Sequence, residues 1–367
     1  MEILITGGAG FVGASLAFHF REAGKQVTVF DNLFRRGGEH HLARFSQMGI
    51  TFVHGDTRNP EDLDRLPGRR YDLLLECAAQ RSSVYREANP AFEIRSNFLG
   101  LMNCLELARR EHIPVIFWST NKVYGGDRVN ALPKRETDTR FEWETPPGGT
   151  VERGFDPRHG FSHEFDVDGG NHGLYGCAKL CADLMCQEWF HAFGIPIVVN
   201  RFSCLAGPGQ FGQASLGWLA WFAIAAALDL PVEYFGWKGK QVRDVLFLPD
   251  LRRLIELQVE NVEAIAGSVL NVGGGRERTL SPIEASHLIG SRFRPLRSIT
   301  VRDAPRRGDH AIYISDLRPA TELLGWKPEV TVEAGCDEIF RWVTDHKAEL
   351  AQLYGPRHAT IAGPVNT

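Results

Sequence analysis

An excess of charge of either sign is nearly absent: 41 basic against 45 acidic side chains leave a net charge of −4. Such a balance offers no bulk attraction for nucleic acid or an anionic membrane, and neither is expected as a partner. Cysteine is sparse and scattered. Seven occur in 367 residues without a Cys-x-x-Cys pair, so neither a zinc site nor a disulfide framework is expected. They read as small apolar residues in a reducing compartment. His159, His163 and His172 share one loop-like region but lack paired ligand spacing, and no metal is expected there either. Long hydrophobic runs are missing as well. The most apolar stretch, 215–230, carries Gly217 and Asp229 and is short for a membrane span, so a buried helix is expected. The chain opens on a strand-like segment, with no basic stretch leading into a long apolar run, and a cytoplasmic location is expected. No internal repeat is visible.

What is present is an alternation. Short β-rich runs at 2–5, 27–30, 51–54, 72–76, 115–118, 197–200 and 269–272 are separated by helix-length segments such as 97–110 and 175–193. Several runs are continuously apolar, as strands covered on both faces must be. The pattern predicts an α/β fold: a Rossmann-type doubly wound parallel sheet with right-handed crossovers, joined to a smaller mixed α/β substrate-binding portion. Residues 1–200 and 243–272 are assigned to the dinucleotide-binding domain and 201–242 with 273–350 to the substrate portion. Residues 351–367 read as a mobile tail. Between 127 and 173 the sequence becomes polar and rich in glycine and proline, which predicts a long loop poised as an active-site cover.

Gly7-Gly8-Ala9-Gly10-Phe11-Val12-Gly13 follows the first strand and opens a helix. Glycines at 7, 10 and 13 let backbone approach a pyrophosphate, which the helix amino terminus would attract through its unpaired N–H groups and dipole. Asp31 ends the second strand 18 positions after Gly13, where a carboxylate accepts hydrogen bonds from a ribose diol and repels a 2′-phosphate. NAD is therefore expected rather than NADP, with Arg35 and Arg36 as the opposing signal. Asp56, after the third strand, either caps a turn or touches the adenine.

Tyr175 and Lys179 lie four positions apart, on one face if the segment is helical. A phenol has an ordinary pKa near 10, too high for a base at neutral pH. A cation about 4 Å away at an effective dielectric near 20 contributes roughly 4 kcal/mol, or about three pKa units. The pair can therefore act as a general base. Cys177, Cys181, Met185 and Trp189 form an i, i+4 apolar stripe, expected to be the buried side of that helix. Tyr234 and Lys238 repeat the spacing without such a pattern behind them. Ser119-Thr120-Asn121-Lys122-Val123-Tyr124-Gly125 follows the fifth strand, at the carboxyl edge where these sheets bind ligands. A hydroxyl there either holds a substrate alcohol or caps the turn.

Taken together, the glycine turn, Asp31, the 119–125 segment and the Tyr175/Lys179 pair resemble the extended short-chain dehydrogenase/reductase family. The resemblance spans nearly the whole chain and is greatest to its CDP-paratose 2-epimerase (CDP-tyvelose epimerase) branch, through 119–125, 174–179 and 239–244. It implies Thr120, Tyr175 and Lys179 as catalytic residues. It extends the NAD-contacting set from Gly7, Gly10, Gly13, Asp31 and Asp56 to Phe11, Val12, Asn32, Thr57, Ala78, Gln80, Asn97 and Lys179. Arg201, Arg243 and Arg306 would lie near the nucleotide diphosphate, with Asn121, Lys122, Gln210, Gln241 and Asp309 completing the substrate set. The implied activity is epimerisation of a nucleotide-diphosphate sugar at C2 through a transient keto sugar and NADH, by a homodimer. Relatives that remove water from the sugar carry Asp-Glu after the threonine; here Asn121 and Lys122 stand there. A 4-epimerase uses the same three catalytic residues and is the alternative, and a catalytically silent NAD-binding sensor is the alternative of another class. One departure stands out: the fourth strand ends Glu76-Cys77-Ala78-Ala79-Gln80, where relatives usually place His or a neutral residue near 76–77.

Overall fold

A computed structural model of the chain describes residues 1–68, 70–80, 89–145, 152–214 and 216–355. Seven strands form the central sheet: β1 (Glu2–Thr6), β2 (Gln26–Asp31), β3 (Thr51–His54), β4 (Leu73–Glu76), β5 (Val115–Thr120), β6 (Ile197–Phe202) and β7 (Val269–Val272). Every pairing is parallel, in the order β7-β6-β5-β4-β1-β2-β3. The chain winds outward from β1 to β3, then crosses to the other side of β1 as β4 and winds outward again. The switch between β1 and β4 opens the crevice at the carboxyl ends of the strands where such sheets bind ligands. These are the seven strands expected from the apolar runs, within two residues at either end.

Strand alternation divides the core. Ile3, Ile5, Leu73, Leu75, Ile116 and Val198 point to the face covered by α1 (Phe11–Glu22) and the helix Leu248–Glu260. Leu4, Leu74, Val115, Phe117, Ile197 and Val199 point to the other, against α2 (Gly100–Glu111) and α3 (Gly173–Phe193). The helical pattern seen from residue 97 begins in a wider π turn, Arg95–Leu99, before α2 becomes regular.

The second portion is built on Val242–Phe247, which pairs parallel with Cys204–Ala206 and Ile312–Tyr313 and antiparallel with Thr279–Leu280. This moves the expected boundary. Residues 243–247 belong to the smaller sheet, and the chain rejoins the core of the larger one at Leu248, whose side chain packs with Leu251, Leu254 and Ile255. The apolar stretch at 215–230 forms α4 (Trp218–Leu228), a helix of 11 residues buried in this portion, and residue 215 lies outside the described residues. Among the described residues no helix is long and apolar enough to cross a membrane.

The expected open loop at 127–173 is instead structured where it is described. It contains the helix Gly126–Ala131 and two short hairpins, Lys134–Glu136 with Phe141–Trp143 and Phe155–Asp156 with Gly160–Phe161. Residues 146–151 lie outside the description. Its polar composition masks five aromatic or bulky anchors, Phe141, Trp143, Phe155, Phe161 and Phe165, that pack with Tyr124 and Tyr313 into a separate core. The expected tail is shortened as well, because helix Lys347–Tyr354 extends into it, and 356–367 are not described.

Phe161 is fully buried at the centre of this cluster, 4.7 Å from the ring of Phe165 and 5.2 Å from that of Tyr313. Phe161→Ala is expected to cost about 3–5 kcal/mol in chemical denaturation, in line with other buried Phe truncations. A loss below about 1 kcal/mol, the range of surface substitutions, would show that the segment is not packed.

Candidate active site

The glycine turn is shaped by close backbone approach. Gly7 has φ +64°, and a Cβ there would fall 2.6 Å from the Cα of Ala78 at the end of β4. At Gly13 a Cβ would sit 2.5 Å from the carbonyl oxygen of Gly7. Gly10 is the N-cap of α1 and brings no side chain onto the helix end, whose first turn has no acidic residue. The first amides, from Phe11, Val12 and Gly13, therefore face an anion without a competing carboxylate. Asp31 accepts hydrogen bonds from the Ala9 amide at 3.1 Å and the Leu33 amide at 2.8 Å, which ties β2 to the turn. Burial raises its pKa, while the two amides and Arg35 pull it down. Arg36, one of the residues that argued for a 2′-phosphate, is paired with Glu39 at 2.9 Å.

A cavity of about 350 Å³ continues past Asp31 and is lined by Asn32, Phe34, His54, Gly55, Asp56 and Arg58. Asp56 accepts from Asn32 at 2.9 Å and from both the backbone and side chain of Arg58. Burial works against ionisation, but those bonds hold its carboxyl at about 2. A cradle for a pyrophosphate, a ribose acceptor and an adjacent cavity thus follow one another along the strand ends. A dinucleotide fits there.

Not every expected contact points into this crevice. Asn97 exchanges two hydrogen bonds of 2.9 Å with the backbone of Gln80 and donates to both the carbonyl and the carboxylate of Glu93 at 3.0 Å, so its amide fastens the segment after β4. Thr57 lies against Gly100 of α2, where an added Cβ would meet its hydroxyl at 2.7 Å. For Asn97 the cause is that the backbone leaving β4 needs its own donor and acceptor once buried.

The chemical end lies where α3 meets the end of β5. A Cβ on Gly176 would stand 2.4 Å from the carbonyl oxygen of Lys122, so the first turn of α3 presses directly on the 119–125 segment. Tyr175 and Lys179 are both on the buried side of α3, at 4% and 1% exposure. Lys179 donates to the carbonyl of Trp118 at 2.8 Å and lies 4.5 Å from the ring centroid of Phe117. Thr120 ends β5, and its hydroxyl accepts from the Lys122 amide at 3.3 Å and approaches the Asn121 side chain at 3.4 Å. The turn-capping role is thus filled by Thr120. The Tyr234/Lys238 repeat is excluded, because Tyr234 is in a strand bonded to Ser286 and Lys238 has φ +55° in a turn.

The expected apolar stripe holds at Met185 and Trp189, which pack against the core, and fails at the start of α3, where the buried side is partly polar. It carries Tyr175, Ala178, Lys179, Ala182, Asp183 and Cys186, whereas Cys177 and Cys181 are exposed. Asp183 is the residue that sequence reasoning missed, although it continues the face of Tyr175 and Lys179 by one more turn. It receives Ser119 at 2.5 Å and both arms of Arg201 at 2.9 and 3.0 Å. Arg201 was expected at the diphosphate. Its guanidinium is instead enclosed, with further bonds to Tyr124 at 3.1 Å and the His163 carbonyl at 3.3 Å. Burial opposes its charge, but Tyr124 and Asp183 raise its pKa, and it stays a cation with no arm to spare.

Other candidates do converge. Asp309 receives Lys122 at 2.5 Å, Arg243 at 2.7 Å and the His310 amide at 3.0 Å. Burial raises its pKa, yet the two cations outweigh that and hold the carboxyl well below its usual range. Two cations on one carboxylate leave a local excess of positive charge beside Asn121. Gln210 donates to Leu205 O and Gln241 to Phe235 O, and the carbonyl oxygen of each side chain is buried without a partner. Arg306 lies 4.0 Å from the centroid of Phe235. Gln241 and Arg306 thus meet at Phe235 in the second portion, while Gln210 is held by Leu205.

The sequence profile of the NAD dependent epimerase/dehydratase family matches residues 3–147 and 152–273. CDP-paratose 2-epimerase of Salmonella typhi is 33% identical over 94% of this chain and 99% of its own. Among solved structures, Pal from Bacillus thuringiensis superposes with TM-score 0.77 at 22% identity, over 94% of this chain and 99% of its own. The UDP-glucose 4-epimerase of Thermotoga maritima, solved with UDP-glucose, gives 0.71 at 25% identity over 95% and 100%.

Gly13→Ala is expected to displace the turn at Gly7 and abolish retention of a dinucleotide through purification, read by absorbance and extraction; an unchanged dinucleotide content would show that the turn is not the cradle. Asp183→Asn leaves the Arg201 charge enclosed and is expected to cost about 3–5 kcal/mol of unfolding free energy. Stability within about 0.5 kcal/mol of the parent, as at an ordinary surface site, would refute the buried pairing.

Proposed function

The chain belongs to the NAD dependent epimerase/dehydratase family, and from that premise we propose that it is an NAD-dependent epimerase that inverts C2 of a nucleotide-diphosphate sugar. The observation that carries this reading is the buried face of α3, which holds Tyr175 and Lys179 together against the end of β5. When bound, NAD supplies an acceptor for hydride from the sugar carbon and a donor for its return. Tyr175 takes the proton from the sugar hydroxyl, with the ammonium of Lys179 lowering the cost of the phenolate. Thr120, beside it, holds that hydroxyl while its proton leaves. After the oxidised sugar has turned over in the site, Tyr175 returns the proton to the opposite configuration.

The choice of C2 rests on the 33% identity to a CDP-paratose 2-epimerase along nearly the whole chain. Asn121 and Lys122 supply no acid and base for loss of water, which supports epimerisation over dehydration. Inversion at C4 is the second reading, favoured by the likeness to a UDP-glucose 4-epimerase at 25% identity. The catalytic face serves both, because only the orientation of the sugar differs. For the diphosphate, the positive excess at Lys122 and Arg243, together with Arg306, takes the role first given to Arg201. A homodimer accompanies this reading. Leu174, Cys177, Cys181 and Leu184 form an exposed seam at 3-4-3 spacing on α3, and Leu174 and Leu184 are 39% and 49% exposed.

Incubation with a panel of nucleotide sugars in light and deuterated water tests the proposal. The expected product is inverted at C2 and carries no solvent deuterium; inversion at C4 selects the second reading, and no turnover of any member overturns both. Tyr175→Phe is expected to reduce turnover by at least about 100-fold with the fold intact, the lower range for loss of a general base. Unimpaired turnover in that variant would remove Tyr175 from the chemistry, whereas a parent that turns over no member of the panel would leave the silent-sensor alternative, tested by NAD binding.

A further inference from the structure

Glu76 is the last residue of β4, and alternation along the strand sends its side chain to the face that carries Leu74, α2 and α3. Its neighbours in register are Thr6 on β1 and Phe117 on β5. The residue is 1% exposed, and its Oε2 has no hydrogen-bond partner. A carboxylate so enclosed is costly, and a neutral residue of the same size would pack at least as well. Phe117, its register partner, is also the ring over which the ammonium of Lys179 stands at 4.5 Å. Lys179 and Glu76 thus meet the same ring from two elements, α3 and β4.

The other titratable groups around Glu76 are Cys104 from α2 and Cys186 from α3 on its own face, and Cys77, next in sequence on the opposite face. Burial pushes all three thiols well above their ordinary range, so they stay neutral. From β1 and β5 come only Thr6 and Phe117, and Asp183 is taken up by Arg201. Lys179 is therefore the charge that acts on Glu76. Burial raises the Glu76 carboxyl to about 7, even with Lys179 pulling it back.

We propose that Glu76 is a positioning residue of the reaction, which sets from the sheet how much of the Lys179 charge is felt at the Tyr175 hydroxyl. This rests on the roles given above to Tyr175 and Lys179. With Glu76 protonated, the ammonium acts on Tyr175 undiminished and the phenol ionises more readily. With Glu76 ionised, part of that field is cancelled and the phenol holds its proton longer. The carboxyl changes state near neutral pH, so it restrains the base as pH rises.

Glu76→Gln keeps the size and removes the charge. A carboxyl whose folded pKa lies above its unfolded value contributes stability that is present below about 4.5 and lost as pH rises through about 7. The thermal midpoint of Glu76→Gln is therefore expected to gain on the parent between those two values and to hold a constant lead above them. Tyr175, read as the phenolate absorbance that Tyr175→Phe removes, is expected to titrate at lower pH in Glu76→Gln than in the parent with NAD bound. A midpoint difference independent of pH, with superimposable phenolate titrations, would reduce Glu76 to a packing residue. Should Glu76→Gln not fold, Glu76→Met is read in the same way. Failure of the epimerase reading would appear separately, as a parent protein that turns over no nucleotide sugar.

Discussion

The ion pair between Asp183 and Arg201 ties α3 to the strand ends on which Tyr175 and Lys179 depend. A buried pair of this kind returns little net stability, since both ions must first be stripped of water. What it gives is geometry. Arg201 closes β6, Asp183 sits one turn beyond Lys179 on α3, and Ser119 from β5 binds the same carboxylate. Two strand ends and one helix are thereby locked at their meeting point, within hydrogen-bond tolerances. The Trp118 carbonyl then receives Lys179, and Tyr175 follows from the helix repeat. A looser, apolar contact would let α3 slide along the sheet without penalty.

The same cluster reaches into the second portion. Tyr124 joins Arg201 to Asn271 at the end of β7, and Asn271 donates in turn to the carbonyl of Phe161 in the structured 127–173 segment. His310 meets the Tyr124 carbonyl at 2.9 Å. Burial and the nearby Lys122 and Arg243 hold its pKa well below the ordinary value, so it remains neutral and adds no charge to the cations around Asp309. The ends of β6 and β7, the 127–173 segment and the turn at His310 are therefore parts of one hydrogen-bonded body.

Strands were legible because those buried on both faces must be apolar throughout; β5 is buried at all six positions. The glycine turn was legible because few residues other than glycine tolerate such close backbone contacts. Arg201 was misread for a physical reason: a guanidinium suits a phosphate and a buried carboxylate equally well, and only the fold says which is near. Asp183 went unseen because its partner is 18 residues away on another element. The stripe through Cys177 and Cys181 looked apolar and was assigned inward, whereas α3 buries polar side chains that find partners there. The 127–173 segment was misjudged because glycines such as Gly154 and Gly160 stand at positive φ in turns between aromatic anchors, and composition averages the two together.

Asp309 gathers Lys122 and Arg243 from parts of the chain 187 and 66 residues earlier. The strand Ile312–Tyr313 that anchors it also completes the smaller sheet. During synthesis, then, all seven strands of the central sheet are laid down by Val272, yet Ala320 and Trp326 must still arrive to close its core, so the larger sheet and the cations around Asp309 wait on the same late stretch of chain.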